Sequence, residues 1–172
     1  MTLKNFPGLL LIAFALLTSS CKKDNEDKKE NYYVKIKIDG TWVTWTKVAG
    51  ELGQDLGDAT KTNLTIAGSD DASKTVFDFS LQVEDTKISI GTYKSVDYFM
   101  PISYVTGAGT SDPTFYTDSY IDSGGDSEYT LTLTSITDKT VSGKFTGNFL
   151  VDLNNEKTID ITEGEFVVPR IR

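Results

Sequence analysis

The spacing of apolar residues predicts an all-β fold, a single antiparallel β-sandwich or closed barrel of about nine strands. Three observations lead there. Within residues 32–172 several runs set apolar side chains at every second position, the period of a half-buried strand. Short clusters of Gly, Asp, Asn and Ser separate those runs at hairpin spacing. No stretch of the same region carries the apolar stripe of an amphipathic helix.

The first alternating run, Tyr33 to Asp39, sets Val34, Ile36 and Ile38 on one face and Tyr33, Lys35 and Lys37 on the other. Asp39-Gly40 suits a two-residue hairpin turn, because both central positions of that turn need positive φ. Thr41 to Val48 is then the partner strand. Trp42 and Trp45 stand three residues apart, so a regular strand sends one to the core and the other to the surface, unless a bulge reunites them. Ala49 to Thr62 has no convincing period and is expected as a loop. Asn63 to Gly68 is a short strand, and 69–73 a turn. Thr75 to Glu84 alternates over its whole length, with Phe77, Phe79, Leu81 and Val83 inward. Lys87 to Tyr93 is expected as the next strand, with Ile88 and Ile90 inward.

Residues 94–127 are less regular. Pro101 keeps Tyr98-Phe99-Met100-Pro101 off a central strand. Thr106 to Pro113 is a Gly/Ser/Thr loop, and an edge strand is expected over Phe115 to Ile121. Three strands close the chain: Tyr129 to Ile136, Val141 to Leu153 and Lys157 to Val168. Asp138-Lys139 and Asn154-Asn155-Glu156 are the turns between them. A glycine precedes an aromatic by two residues at Gly91/Tyr93, Gly143/Phe145, Gly147/Phe149 and Gly164/Phe166. Residues i and i+2 share a face, so each ring is expected to lie toward its own strand's bare glycine, as in curved sheets.

Ahead of this domain lies a different kind of sequence. Lys4 is followed by the apolar run Leu9 to Leu17 and the small residues Thr18-Ser19-Ser20. Nine apolar residues are too few for a spanning helix, which needs ~20. Residues 1–20 therefore read as an export signal peptide. Cys21, the only cysteine, follows directly. Leu-Thr-Ser-Ser-Cys resembles the lipobox of bacterial lipoproteins, with Thr18 where Leu is usual. The resemblance implies a diacylglyceryl group on the Cys21 thiol, and two acyl chains suffice for stable anchoring. Residues 22–30 are charged at eight of nine positions, four of each sign, and cannot offset their own conformational entropy by burial. Residues 21–31 are thus a lipidated cysteine and a flexible tether with a reach of at most about 35 Å. Lys-Asp-Asn-Glu-Asp within it resembles the acidic signal that sends lipoproteins of the Bacteroidota to the outer face of the outer membrane. A lipid-anchored position in that membrane, facing the cell exterior, is the expectation.

Composition removes whole classes of function. The chain carries a formal net charge of −8. The signal takes away only Lys4 and the tether is balanced, which leaves twelve basic and twenty-one acidic residues in the domain. Such a field repels phosphate backbones, so no nucleic-acid partner is expected. There is no histidine, and the domain has no cysteine. Ser-His-Asp and Cys-His catalysis, His or Cys zinc sites and disulfides are therefore unavailable to it. Carboxylate chemistry, Ser-Lys chemistry and oxygen-ligand metals survive.

Tyr98, Phe99, Tyr104, Phe115, Tyr116 and Tyr120 crowd the irregular middle segment among Ser, Thr and Asp. Flat rings beside hydrogen-bonding groups suit a carbohydrate, whose C–H faces stack while its hydroxyls find polar partners. The competing and favoured reading is that the same rings form a satellite core holding down a long connection. Tyr98, Tyr104, Tyr116 and Tyr120 are the candidate ligand-binding residues. Asp118, Asp122, Asp126 and Glu128 offer oxygen atoms, but their spacing fits no known calcium loop and a solvated acidic turn is expected. Asp78, Glu84, Asp152, Asp160, Glu163 and Glu165 could supply a glycosidase pair, yet alternation puts most of them on strand exteriors. Gly107-Ala108-Gly109 precedes no helix and lacks the P-loop lysine. Neither a catalytic set nor a cofactor or metal is expected.

Two family resemblances remain. Ile38-Asp39-Gly40-Thr41-Trp42, Gly91-Thr92-Tyr93, Val141-Ser142-Gly143-Lys144-Phe145-Thr146-Gly147 and Ile161-Thr162-Glu163-Gly164-Glu165-Phe166 resemble a family of Bacteroidota outer-membrane lipoproteins, a domain of unknown function. That resemblance implies location and an all-β fold, and carries no site residues. Gly40-Thr41-Trp42 with Arg170 is also similar to the Gly-x-Trp and covering arginine of lipocalins, which would imply an apolar ligand in a barrel mouth. The leading expectation is a membrane-anchored, non-catalytic binding module for carbohydrate or another surface ligand. The alternatives are an accessory subunit of an outer-membrane assembly and a lipocalin-like carrier.

Overall fold

The computed structural model describes residues 31–171 apart from 71, 73, 119–127, 148 and 153. The signal, Cys21 and the tether lie outside the described residues. Every regular element described is a strand. In chain order these are β1 (Tyr33–Ile38), β2 (Thr41–Trp45), β3 (Lys47–Gln54), β4 (Thr62–Ser69), β5 (Thr75–Val83) and β6 (Gly91–Lys94). Then follow β7 (Ile102–Thr106), β8 (Thr114–Thr117), β9 (Thr130–Ile136), β10 (Thr140–Thr146), β11 (Phe149–Asp152) and β12 (Thr158–Ile171).

The strands pair in two groups that share β12. One group runs β2-β1-β12-β10-β9-β6, and the other β3-β4-β5-β7-β8-β11. The start of β12 pairs with β11, its middle lies between β1 and β10, and Arg170-Ile171 pair with Gly50-Glu51 of β3. That last contact is parallel, while the other strand pairs are antiparallel. The second group therefore begins and ends on the same long strand.

The two groups meet through their apolar faces, as in a sandwich. Phe77 and Phe79 of β5 stack on Phe145 of β10, at ring centroid distances of 5.9 and 5.7 Å. Trp45 stacks on Phe77 at 5.8 Å. Val34, Ile36, Leu64, Leu81, Leu131 and Leu150 are fully buried around them. Each such side chain contributes ~1.5–3 kcal/mol by leaving water. The alternation read for β1 and β5 is present residue by residue, and the two tryptophans divide as a regular strand requires. Trp45 is buried and Trp42 is 42% exposed.

Several expectations change. There are twelve strands among the described residues rather than about nine. Ala49 to Gln54 is not loop but the body of β3, since its backbone pairs with β4 along its length. Small Gly and Ala side chains hide the period there, and Gly50 is needed because a Cβ would lie 2.6 Å from Val168. Lys87 to Tyr93 is not one strand. Only Gly91–Lys94 pairs, and Ile90 is exposed while Ile88 is buried. The irregular middle holds two strands, β7 and β8, that pair with each other, while β7 also pairs with β5 and β8 with β11. The expected strand Val141 to Leu153 is interrupted after Thr146, giving β10 and β11.

The glycine–aromatic pairs work across strands rather than along them. Gly143 pairs with Phe166, and Phe145 pairs with Gly164. A Cβ on Gly143 would lie 2.8 Å from the Phe166 ring, and one on Gly164 would lie 2.3 Å from the Phe145 ring. Gly147 is covered by Tyr129, not Phe149, with the Tyr129 hydroxyl donating to the Phe149 carbonyl at 2.6 Å.

Candidate binding cleft

The rings singled out in the sequence do not form one site. Tyr104 sits opposite Phe77, near the start of β5. Phe99 bridges to Gln82, near its end. Five residue steps of strand separate those positions, about 17 Å at the usual rise. Tyr104 is buried, edge-on to Trp45 at 6.1 Å and stacked on half-buried Tyr116 at 6.1 Å. Burial first, then the neighbouring Tyr116 and Asp70, raise the Tyr104 hydroxyl above its ordinary pKa. These two tyrosines pack against the core. Tyr120, Asp122 and Asp126 lie outside the described residues.

Tyr98 belongs to a different place. Its ring meets Tyr93 edge-on at 5.1 Å, and Phe99 beside it is 53% exposed. These rings open on a cleft of about 700 Å³. Gln82, Glu84, Asp85, Lys87 and Asp97 supply its polar groups.

The segment that presents the rings is held at several points. Ser95 N–H donates to the Tyr129 carbonyl at 2.9 Å, and Tyr129 N–H donates back to Ser95 Oγ at 2.9 Å. Asp97 and Tyr98 N–H both donate to the Lys94 carbonyl at 3.0 Å, which closes a turn. Gln82 N–H donates to the Phe99 carbonyl at 2.9 Å, and Ser80 N–H to the Pro101 carbonyl at 2.9 Å. Met100, between them, is buried. The Tyr93 hydroxyl donates to the Ser89 carbonyl at 2.7 Å and accepts from Ser89 N–H at 3.1 Å. A loop fixed this way presents its rings with little left to order on binding.

The polar floor is fixed as well. Gln82 Nε2 donates to Asn63 Oδ1 at 3.0 Å, and Asn63 Nδ2 donates to Asp55 Oδ2 at 2.8 Å. The Asn63 bond, with further donation from the Gly57 and Asp58 N–H groups, holds the Asp55 carboxyl below its ordinary pKa. Glu84, Asp85 and Asp97 are all exposed on the rim.

The remaining candidates are scattered. Asp118 is buried, and burial raises its carboxyl above the ordinary range, opposed by the Thr117 hydroxyl at 3.2 Å. Glu128 is exposed. Asp152 is buried rather than exterior, and accepts from Asn154 N–H at 2.8 Å in the turn after β11. Asp78 accepts from the Ser103 hydroxyl. Glu163 and Glu165 pair with Lys37 at 3.0 Å and Lys35 at 3.8 Å. Among the described residues no three His, Cys, Asp or Glu side chains are grouped to hold a metal. Arg170 does not cover Trp42. Its Nη1 donates to the Thr137 carbonyl at 3.2 Å, and Lys35 Nζ stands over the indole at 4.4 Å.

The sequence reading missed Gln82 and Tyr93 as parts of a site. Gln82 reads as one more outward residue of β5, and nothing local says that Phe99 returns beside it. Tyr93 belongs to a recognised glycine–aromatic pair, which pointed to curvature rather than to a cleft. No protein-family model matches the chain, and no curated protein or solved structure matches it.

Proposed function

We propose that this protein is a lipoprotein anchored through Cys21 and displayed on the outer membrane, and that its β domain is a non-catalytic module binding neutral carbohydrate. One observation carries the binding half of that reading. Tyr98 and Phe99 turn exposed rings into a cleft whose charged and amide groups are the Gln82 amide, three solvated carboxylates and one lysine, Lys87. Sugar C–H faces stack on such rings, and hydroxyls bond to such acceptors. The excess of acid over base on the rim repels anionic ligands and leaves uncharged ones favoured. The anchoring half rests on the export signal, the lipobox-like ending and the charged tether. The absence of histidine and the exposure of the rim carboxylates support binding over turnover.

The full chain, solubilised in detergent, is screened on a glycan array beside a Tyr98→Ala/Phe99→Ala variant. The reading expects neutral glycans bound by the wild type and lost by the variant, with the melting temperature nearly unchanged. Retention of binding by the variant removes the cleft from the account. Selective capture of an envelope protein with no glycan bound favours an accessory subunit instead.

A further inference from the structure

The cleft is one end of a longer surface. Gln82, Ser80, Asp78 and Val76 point outward along β5, because Val83, Leu81, Phe79 and Phe77 point in. On β4 their partners are Asn63, Thr65, Ala67 and Ser69. On the other side, Asp78 faces Ser103, and Val76 faces Val105. Val105 in turn faces Phe115 of β8. Phe115 is 45% exposed. A second depression, of about 540 Å³, lies at this end over Ala49, Ala67 and Val76. The same outer face thus carries an exposed ring and a hollow at each end.

The surface between the ends is low. Its side chains are small: Thr65 and Ser80 share a hydrogen bond at 2.9 Å, and Ala67 adds only a methyl group. Asp78 is engaged by the Ser103 hydroxyl. From Gln82 to Val76 the strand advances six residues, about 20 Å. A monosaccharide or disaccharide cannot touch both rings across that distance, whereas an extended chain of several pyranoses can.

We infer that the ligand of this face is a neutral, extended polysaccharide strand, laid along β5 from the Phe99 end to the Phe115 end. The inference rests on the carbohydrate reading of the cleft. The hydroxyls of Thr65, Ser80, Ser103 and Thr117 meet the polymer at mid-chain, and the rings hold its two ends. Acidic groups along the route, Glu84 and Asp97 at one end and Glu51 beside Thr65, disfavour uronate polymers.

The full chain in detergent is titrated calorimetrically with β-glucan, xylan, galactomannan and starch, with polygalacturonate as the anionic control. The di- to hexasaccharides of any polymer bound are then compared. Affinity is expected to rise about tenfold or more from disaccharide to hexasaccharide. Thr65→Arg, which stands a bulky chain in the middle of the route, and Phe115→Ala are expected to remove that gain and spare the disaccharide. Thermal melts of both variants confirm folding. Equal affinity at every length, or a length gain untouched by both variants, overturns the extended route while leaving the cleft reading in place. Preference for polygalacturonate overturns the neutral ligand. No binding to any of the polymers overturns the carbohydrate reading itself.

Discussion

Phe145 on β10 faces Gly164 on β12, with its ring filling the space where a Cβ on residue 164 would stand 2.3 Å away. The same ring is the surface on which Phe77 and Phe79 of the opposite group stack. One bare backbone position therefore lets a single ring reach across the interior and join the two groups. Gly164→Ala is expected to cost about 1–3 kcal/mol through overpacking. Adding Phe145→Leu makes room for the methyl group. Chemical denaturation of the two single variants and the double variant is expected to give a double-variant cost well below the sum, the mark of direct contact. Strict additivity contradicts the relationship.

Trp45 and Trp42 belong to the same short strand and should answer differently to truncation. Trp45 is buried against Phe77 and Tyr104, so Trp45→Ala is expected to cost about 3–5 kcal/mol. Trp42 lies on the outer face under Lys35, a contact worth about 0.5–1 kcal/mol at an exposed site. Trp42→Ala is expected to shift the urea midpoint only slightly. Comparable losses for the two would mean that the alternation in β2 has been misassigned.

The buried indole N–H of Trp45 is satisfied through a relay. It donates to Thr75 Oγ1 at 3.0 Å, and that hydroxyl donates to Asp70 Oδ2 at 3.0 Å. Asp70 also accepts from Lys74 N–H at 2.7 Å. Thr75→Val keeps the shape and leaves the indole unpaired, at a cost of about 1–3 kcal/mol. Thr75→Ser retains the hydroxyl and is expected to recover most of that loss in the same denaturation experiment. A Thr75→Ser variant as weak as Thr75→Val would assign the effect to packing.

Asp118 gives the pH dependence a definite sign. Burial raises its carboxyl above the ordinary value, so the folded state prefers the protonated form. Its stabilising contribution is complete below the ordinary carboxylate pKa and is lost as pH rises through the raised one. Asp118→Asn removes the buried charge at neutral pH and keeps an acceptor for the Thr117 hydroxyl. The variant is expected to melt above the wild type at neutral pH, with the gap closing on acidification through the carboxylate range. A gap of constant size across that range contradicts the assignment.

The legible parts of the fold were those in which side chains alternate in size and polarity. β1 and β5 bury the residues that their period marks, and the Asp39-Gly40 turn has positive φ at both positions. β3 was hidden because Ala49, Gly50 and Gly53 carry no periodic signal. Its strand character comes from backbone pairing with β4, which no local pattern records. The same limit applies to the candidate site. Tyr98 was visible as an aromatic in an irregular segment, and Tyr104 and Tyr116 looked alike in the sequence. Only the pairing of β7 with β5 separates them, sending Tyr104 inward beside Trp45 and leaving Phe99 beside Gln82. Residues far apart in the chain decide which ring is core and which is surface.

The most direct measurement is an NMR titration of the isotope-labelled full chain with the neutral glycan that the array selects. The account predicts saturable shifts at Gln82, Tyr93, Tyr98 and Phe99, with Trp42 and Lys35 on the other group unmoved. Shifts concentrated around Trp42, with the cleft residues silent, would contradict it.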